Sequence, residues 1–400
     1  MALQNSLIDK YGADTIGPYY TSYPTLREWS RDFNGTTFEQ GLERFVDSVD
    51  PKFALYVHYP FCKILCHFCI CNAHETDSKK AMQRALDTVV KDMDYFSSFF
   101  EKKKKEPQIK EIHLGGGSPS YLSEEQFDEL SSAISSLVDI KKLEDYALEI
   151  DPRTVTPDKV KYYATKGIDR ISFGIQDFNP AVQNVVNRVQ STELVASLMT
   201  PEIRVLYKGV NFDLMYGLPL QTTESFRETI ETTIRLSPDR LTLLRYAHIP
   251  KERKNMMNID ESQIVGNEEK TIMFLEAVDA LKQAGYLHIG IDNFAKPTDE
   301  LGQAFLEKRI GRNFVGFTPG RVNNNMLGVG ASTTHCFGDC YAQTIYNVGK
   351  YQSSNVGSQF AIESGHRMSK DDLIRRDAIF AILCNQTLDL RKILDKHNVH

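Results

Sequence analysis

Apolar and polar positions alternate in blocks along this 400-residue chain. Short apolar runs rich in β-branched and aromatic residues are each followed by a longer stretch with apolar residues every three or four positions, the helical period. "FALYVHYP" (53–60) predicts a first strand, and Ala85, Leu86, Val89 and Met93 share one face of a helix near 78–100. "IKEIHLGGG" (109–117) predicts a second strand, before the helix "SEEQFDELSSAISSLV", whose opening Ser123 and Gln126 form a capping box. "EDYALEID" (144–151), "DRISFGIQ" (169–176), "GVNFDLMYG" (209–217) and "DRLTLLRYAHIP" (239–250) predict four more strands. Helices are expected from about Pro157, over "PAVQNVVNRV" and over "TESFRETIETTIRL". Six successive strand–helix units predict a parallel sheet. The fold class is therefore α/β, an incomplete (β/α)6 TIM-like barrel, with a doubly wound open sheet as the alternative.

Barrel sites gather at the C-terminal ends of strands, and the unusual residues of this chain collect there. Cys62, Cys66 and Cys69 follow the first strand, and Gly115 to Gly117 the second. Glu149 and Asp151 end the third, Gln176 ends the fourth, Asp213 lies in the fifth, and Ala247 ends the sixth. Three regions fall outside the pattern. The N-terminal "GPYYTSYPT" (17–25) is dense in Pro and Tyr, residues 285–345 are rich in Gly and Asn, and a polar helical stretch begins near 365.

Composition narrows the possibilities. A hydrophobic content of 41% with 25% charged residues is ordinary for a globular protein. A net charge of −6 gives no reason to expect nucleic acid as a partner. The one basic run, "EKKKKE" (101–106), is bracketed by Glu and reads as a solvated turn. The opening "MALQNSLIDKYGAD" has no secretory pattern, and no apolar run is long enough for a membrane helix. The expectation is a cytoplasmic protein with reduced thiols.

"CKILCHFC" (62–69), with Cys71 just beyond, crowds four of the chain's seven cysteines together. A disulfide, a zinc site completed by His58, His67 or His74, an iron–sulfur cluster and chance all remain open. Zinc normally takes four ligands in two pairs. Three thiolates on a cubane cluster instead leave one iron open, whereas an electron-carrying cluster takes four cysteines.

The C-x3-C-x2-C spacing at the end of the first strand of such a barrel, with Phe68 before the last cysteine, resembles the radical S-adenosylmethionine superfamily. "YVHYPFCKILCHFCICN", "GGGSPSYL", "EIDPRTV", "RISFGIQDFN", "VNRVQ", "DLMYGLP", "YAHIP", "NFVGFT", "GDCYAQ", "IRRD" and "GPYYTSYPT" resemble, in order, the oxygen-independent coproporphyrinogen III oxidases (coproporphyrinogen dehydrogenases). The resemblance implies oxidative decarboxylation of two propionates of coproporphyrinogen III to vinyls, giving protoporphyrinogen IX in haem biosynthesis. It implies a [4Fe-4S] cluster held by the metal ligands Cys62, Cys66 and Cys69, and two molecules of S-adenosylmethionine. The first would chelate the cluster and touch Tyr56, Gly116, Glu149 and Thr334, the last at a position that is apolar in relatives. The second would touch Phe68, Gly117, Ser118, Gln176, Arg188, Asp213 and Ala247. Tyr56 is the candidate catalytic residue.

The implied partners are a porphyrinogen and an external one-electron donor such as flavodoxin or ferredoxin, with neither nucleic acid nor membrane, around a monomer. Substrate carboxylates need cations, for which Arg188, Arg245, Arg312 and Arg321 are candidates. The implied domains are an N-terminal segment closing over the active site (1–50), the radical SAM partial barrel (51–285), a barrel extension with cofactor-contacting loops (286–364), and the start of a small, truncated, mainly helical C-terminal domain (365–400). His248, His288, Cys336, Cys340 and Cys384 read as structural. Four positions depart from the pattern: Tyr19 in place of an arginine, Ile70 in place of a small residue and able to crowd the second cofactor, Phe317 in place of Tyr, and Asn293 in place of His. Rival readings are a radical methyltransferase, cyclopropanase or haem-degrading enzyme on the same plan, a haem-binding chaperone, and a zinc-stabilised binding module.

Overall fold

The computed structural model describes residues 20–322, 324–354 and 360–399. The six strands anticipated in the pattern form as β1 (Lys52–Tyr59), β2 (Gln108–Gly116), β3 (Asp145–Ile150), β4 (Arg170–Gln176), β5 (Gly209–Tyr216) and β6 (Arg240–Arg245). Later in the chain come β7 (Leu287–Ile289), β8 (Asn293–Ala295), β9 (Met326–Val329), β10 (Thr334–Phe337), β11 (Cys340–Thr344) and β12 (Ile362–Arg367). All twelve join one sheet in the order β12-β11-β10-β9-β1-β2-β3-β4-β5-β6-β8-β7. The strands from β9 through β1 to β6 run parallel, and both flanks are antiparallel.

The parallel strands are buried on both faces, which is why they read as nearly continuous apolar runs. Phe53, Leu55, Val57, Ile112, Leu114, Leu148, Ile171, Phe173, Phe212 and Leu214 belong to one core cluster. On the outside pack α1 (Gly35–Val46), α2 (Lys79–Lys103), α3 (Glu124–Leu137), α4 (Pro157–Thr165), α5 (Pro180–Val185), α6 (Thr223–Leu236) and α7 (Asn267–Gln283). Met82, Leu86, Val89 and Met93 of α2 and Phe127, Leu130 and Ile134 of α3 face that core. The Ser123–Gln126 capping box is present at the start of α3.

Several expectations change in detail. The parallel sheet gains β9, far along the chain in the Gly- and Asn-rich region, with Tyr56 of β1 between His113 of β2 and Gly328 of β9. The sixth strand stops at Arg245, so "YAHIP" lies in a loop and Ala247 is beyond the strand end. Helix α5 stops at Val185, and Asn187 just after it takes a φ of +57°. "EKKKKE" is only partly a turn: Glu101–Lys103 close α2, and the turn begins at its C-cap Lys104, at φ +53°. Two of its lysines fasten α2 toward α1, Lys103 to Glu43 at 3.1 Å and Lys105 to Asp47 at 2.7 Å.

The described part of the N-terminal segment packs on the outer antiparallel strands: Trp29 stacks on Tyr341 at 5.3 Å, and Ser30 bridges to Gly365. Tyr19 lies outside the described residues. At the other end α8 (Lys370–Asn385) and α9 (Leu390–Lys396) form the expected helical stretch, with Phe380 and Cys384 packed against Ile289 and Phe317. No described helix is long and apolar enough to cross a membrane.

Candidate active site

The cysteine loop is fastened at both ends. Phe61–Cys62 pairs with His74–Glu75 as a short two-stranded sheet, and the backbone N–H of Leu65 donates to Glu75 Oε2 at 2.8 Å. Asn187 Nδ2 donates to the carbonyl of Leu65 at 3.2 Å, and the His67 N–H donates to Val186 O at 3.0 Å. One side chain from far along the chain holds the middle. Asn255 Nδ2 lies 3.0 Å from Cys66 O, 3.1 Å from His67 O and 3.0 Å from Cys69 O. Phe68 is buried beneath the loop with Val182, Val186, Met215, Tyr246 and Met256.

The three thiols suit an iron–sulfur cluster. Burial raises the pKa of Cys62, and the nearby thiols of Cys69 and Cys66 raise it further. Arg153 and Arg188 aim guanidinium N–H groups at Cys66 Sγ, at 3.4 and 3.6 Å, where they could counter the charge of a cluster ligand. Among the described residues no three His, Cys, Asp or Glu side chains converge on a single ion. Thiolates on different irons of one cluster need no such convergence. Two of the three histidines offered for zinc are engaged elsewhere: His67 Nδ1 with Val185 O at 3.0 Å, and His58 Nε2 with Asn72 O at 3.0 Å. All seven cysteines are free thiols, so the loop holds no disulfide. The Cys71 thiol lies against the Cys69 thiol. The loop doubles back, Ala73 N donating to Cys71 O at 2.8 Å, and a hydrogen bond with the Cys71 thiol brings the Cys69 thiol down to about 7.

Beside the loop, at the C-terminal ends of the strands, opens a cavity of about 310 Å³. Tyr56, Gly116, Glu149 and Thr334, the four residues expected around the first cofactor, all line it. Each comes from a different strand: β1, β2, β3 and β10. Hydrogen bonding fixes the local protonation. Asn72 O can only accept, so His58 Nε2 carries the proton and His58 Nδ1 accepts from the Tyr56 hydroxyl, 3.1 Å away. Burial and the neighbouring Glu149 carboxylate push the Tyr56 phenol well above its usual range. His113 Nε2 donates to Glu149 Oε1 at 2.8 Å, and Gly116 N donates to Glu149 Oε2 at 3.3 Å. Gly116 sits at φ +109°, and a Cβ there would lie 2.6 Å from His58 Nδ1. Only glycine gives both that backbone and that approach.

The residues expected around a second cofactor do not line this cavity. Arg188 donates to Asp151 Oδ2 at 3.1 Å and to Gly174 O. Asp151 is buried, which alone would raise its pKa, but Arg188 and Arg153 outweigh burial and hold it below the usual carboxylate range. Arg188 Nε and Gln176 Oε1 are buried without a hydrogen-bond partner among the described residues, and Gln176 sits at φ +67°. Asp213 accepts from Ser172 Oγ at 2.8 Å and from Asn211 Nδ2 at 2.9 Å, while burial and Glu149 raise its pKa. A Cβ on Gly117 would meet the Phe61 backbone at 2.9 Å, and Ser118 N donates to Phe61 O at the same distance. Ser118 Oγ bonds Ser120 Oγ at 3.0 Å. Ala247 and Ile70 are exposed, so Ile70 does not press into the interior.

The four arginines offered to a substrate carboxylate have contacts of their own within the chain. Arg188 pairs with Asp151, and Arg245 donates to Asn267 at 2.6 Å. Arg312 is buried over the Phe317 ring, and Arg321 sits among Glu111, Glu144 and Glu300. None of the four lines the cavity, whereas Arg253 does. Sequence reasoning missed Arg253 and Asn255 because the five-residue 3-10 helix Lys254–Asn258 that carries Asn255, with Arg253 at its N-cap, is too short to show a hydrophobic period. His248 lies bonded between Tyr246 and Glu261, and His288 bonds Ile291 O. Cys336, Cys340 and Cys384 are buried free thiols.

Residues 56–233 match the Radical SAM superfamily. An oxygen-independent coproporphyrinogen III oxidase of Escherichia coli (strain K12) is 35% identical over 395 residues, covering 99% of this chain and 84% of that protein. The enzyme of the same name from Bradyrhizobium diazoefficiens is 33% identical over 398 residues, covering 99% and 86%. The solved coproporphyrinogen III oxidase of Escherichia coli, described as a Radical SAM enzyme, superimposes with a TM-score of 0.89 at 34% identity, over 95% of this chain and 86% of that one. With a mostly parallel central sheet, a three-cysteine loop at the end of its first strand and 33–35% identity over nearly the whole chain, the chain belongs to the oxygen-independent coproporphyrinogen III oxidase family of the Radical SAM superfamily.

Proposed function

We propose that this protein oxidatively decarboxylates two propionates of coproporphyrinogen III to vinyl groups, giving protoporphyrinogen IX without oxygen. When bound, the [4Fe-4S] cluster and S-adenosylmethionine supply the hydrogen-abstracting power of a 5′-deoxyadenosyl radical, and the protein supplies position and surroundings. Cys62, Cys66 and Cys69 would hold the cluster, with Arg153 and Arg188 countering its thiolate charge. Tyr56, Gly116, Glu149 and Thr334 would hold the first S-adenosylmethionine. Glu149, oriented by His113 and Gly116 N, offers a fixed acceptor to ribose hydroxyls or an ammonium group. Tyr56, oriented by His58, presents an un-ionised phenol to the cavity.

A second S-adenosylmethionine would use Phe68, Gly117, Ser118, Gln176, Arg188, Asp213 and Ala247. What supports this is the pair of unpartnered buried atoms on Gln176 and Arg188, since such atoms are costly to bury without a partner. The reducing electron would come from an external donor such as flavodoxin or ferredoxin, and the protein would act as a monomer in the cytoplasm.

The observation that carries this reading is that four residues from four strands, each singled out for the first cofactor, line a single cavity beside the cysteine loop. The test is anaerobic. Protein reconstituted with iron and sulfide is given S-adenosylmethionine, a reductant and coproporphyrinogen III, and the product is weighed. Loss of two CO2 units is expected. A methylated product, or bound haem without turnover, overturns the reading.

A further inference from the structure

The cavity beside the cysteine loop holds one positive side chain among the described residues, and nothing in the family match assigns it a role. That residue is Arg253. Its guanidinium lies over the face of Tyr346, 5.7 Å from the ring centroid. Among the described residues no carboxylate forms an ion pair with it. The cavity's one carboxylate, Glu149, is taken by His113 and Gly116 N.

Both its platform and its backbone are held in place. The Tyr346 carbonyl accepts from Asn72 Nδ2 at 2.8 Å, and the Tyr346 N–H donates to Glu363 Oε2 at 2.7 Å. The Arg253 N–H donates to Ile249 O at 3.0 Å. Asn255, two residues on, is bonded to three carbonyls of the cysteine loop, and Met256 beside it is fully buried. A guanidinium stacked on an aromatic face keeps its N–H fork free and pre-organised for a planar anion. A half-buried arginine at the start of a short helix, facing a cavity whose one acid is oriented by other groups and forms no ion pair with it, is suited to bind rather than to brace.

We infer that Arg253 is a carboxylate-binding residue of the active-site cavity, taking the carboxylate of a ligand that enters it. The inference rests on the proposed function for its two candidate sources, a propionate of the porphyrinogen or the methionyl carboxylate of S-adenosylmethionine.

The experiment uses anaerobically reconstituted protein and two equilibrium probes besides turnover. One is S-adenosylmethionine. The other is coproporphyrin III, compared with its tetramethyl ester, which has no free carboxylate. Arg253→Gln is expected to weaken one of the two acids ~10- to 100-fold, as loss of a charge-assisted hydrogen bond does. Arg253→Lys recovers part of the loss, because it keeps the charge without the fork. A loss confined to coproporphyrin III, with the ester unaffected by the substitution, identifies a propionate. A loss confined to S-adenosylmethionine identifies the methionyl group. Arg235→Gln, on an exposed arginine of α6 that does not line the cavity, serves as the control and leaves both affinities unchanged.

If Arg253→Gln binds both acids as tightly as the unaltered protein, the inference is overturned. If Arg253→Gln fails to load iron, Arg253→Lys carries the test: a several-fold weakening of either acid supports the inference, and no change in both overturns it. An unaltered protein that neither binds nor converts the porphyrin refutes the proposed substrate, and the S-adenosylmethionine arm then decides the arginine alone.

Discussion

At the scale of single residues, Asn255 shows how a remote side chain governs a metal-binding loop. Three carbonyls of the loop, from Cys66, His67 and Cys69, crowd around its one amide NH2 group. Backbone carbonyls turned inward repel each other unless a donor sits between them, and an amide offers two N–H bonds for that purpose. Asn255→Asp is nearly the same shape but sets a carboxylate against the three oxygens. We expect Asn255→Asp to hold several-fold less iron after reconstitution than Asn255→Ala, which removes the donor without adding a charge. Iron and sulfide content per chain, with the electron paramagnetic resonance of the reduced protein, decides the point. Full iron loading in the Asp variant removes Asn255 from this role. Nothing in the one-dimensional sequence marks this residue, since its partners lie nearly two hundred positions earlier.

At the scale of elements, β10 carries a histidine whose surroundings make an acid-sensitive joint. His335 is fully buried among the rings of Phe38, Phe96 and Phe360. Its Nδ1 accepts from the Gly328 N–H of the neighbouring β9 at 3.1 Å, so the proton of the neutral ring sits on Nε2. Nε2 has no hydrogen-bond partner among the described residues, and burial brings the ring's pKa down to about 3. In the unfolded chain a histidine titrates near 6.5. Between those values the unfolded chain binds a proton that the fold does not. The stability from keeping His335 neutral is therefore complete above about pH 7 and lost as the pH falls toward 3, by ~1.4 kcal/mol per unit. His335→Leu should be less stable at pH 8 by about 1 kcal/mol, because the Gly328 N–H loses its acceptor. By pH 5 the gap should close or reverse. Urea unfolding at the two pH values measures it, and a constant difference would disprove the account.

The same elements show how much of the fold could be read in advance. Strands β1 to β5 and helices α2, α3 and α6 formed where the apolar spacing placed them, because each buries its pattern against a neighbour close in sequence. The sixth strand was read too long. After Arg245, its last partner opposite Tyr216, the chain leaves the sheet. Strand β9 was not seen at all. "MLGV" is four residues long, flanked by Asn and Gly, and its pairing with β1 is set by tertiary structure. Of the site, the cysteines and the four cavity residues were legible through motif resemblance, whereas Arg253 needed coordinates.

At the scale of the whole molecule, β9 makes the barrel discontinuous in sequence. Its position beside β1 means that residues 51–285 alone do not complete the parallel sheet. A chain ending at residue 285 would leave the edge of β1 bare, a buried apolar strand with unpaired backbone groups, and such edges template aggregation. We expect that shortened chain to be insoluble or to elute as aggregates, whereas a chain reaching past β11 stays in solution. Size-exclusion chromatography after expression at low temperature distinguishes the two. A monomeric, cooperatively unfolding 51–285 fragment would contradict this view of the sheet.

The distance in sequence between the two sides of the cavity has a temporal meaning. Its thiol side leaves the ribosome with residues 62–71, and its opposite wall, Ser332 to Thr334, follows roughly 260 residues later. At a synthesis rate of about 5–20 residues per second, that is an interval of tens of seconds. Throughout it the cysteines stand on a nascent polypeptide with one side of their chamber still unmade. The order of translation thus leaves the iron site open to metal delivery, and to oxidation, before the cavity closes around it.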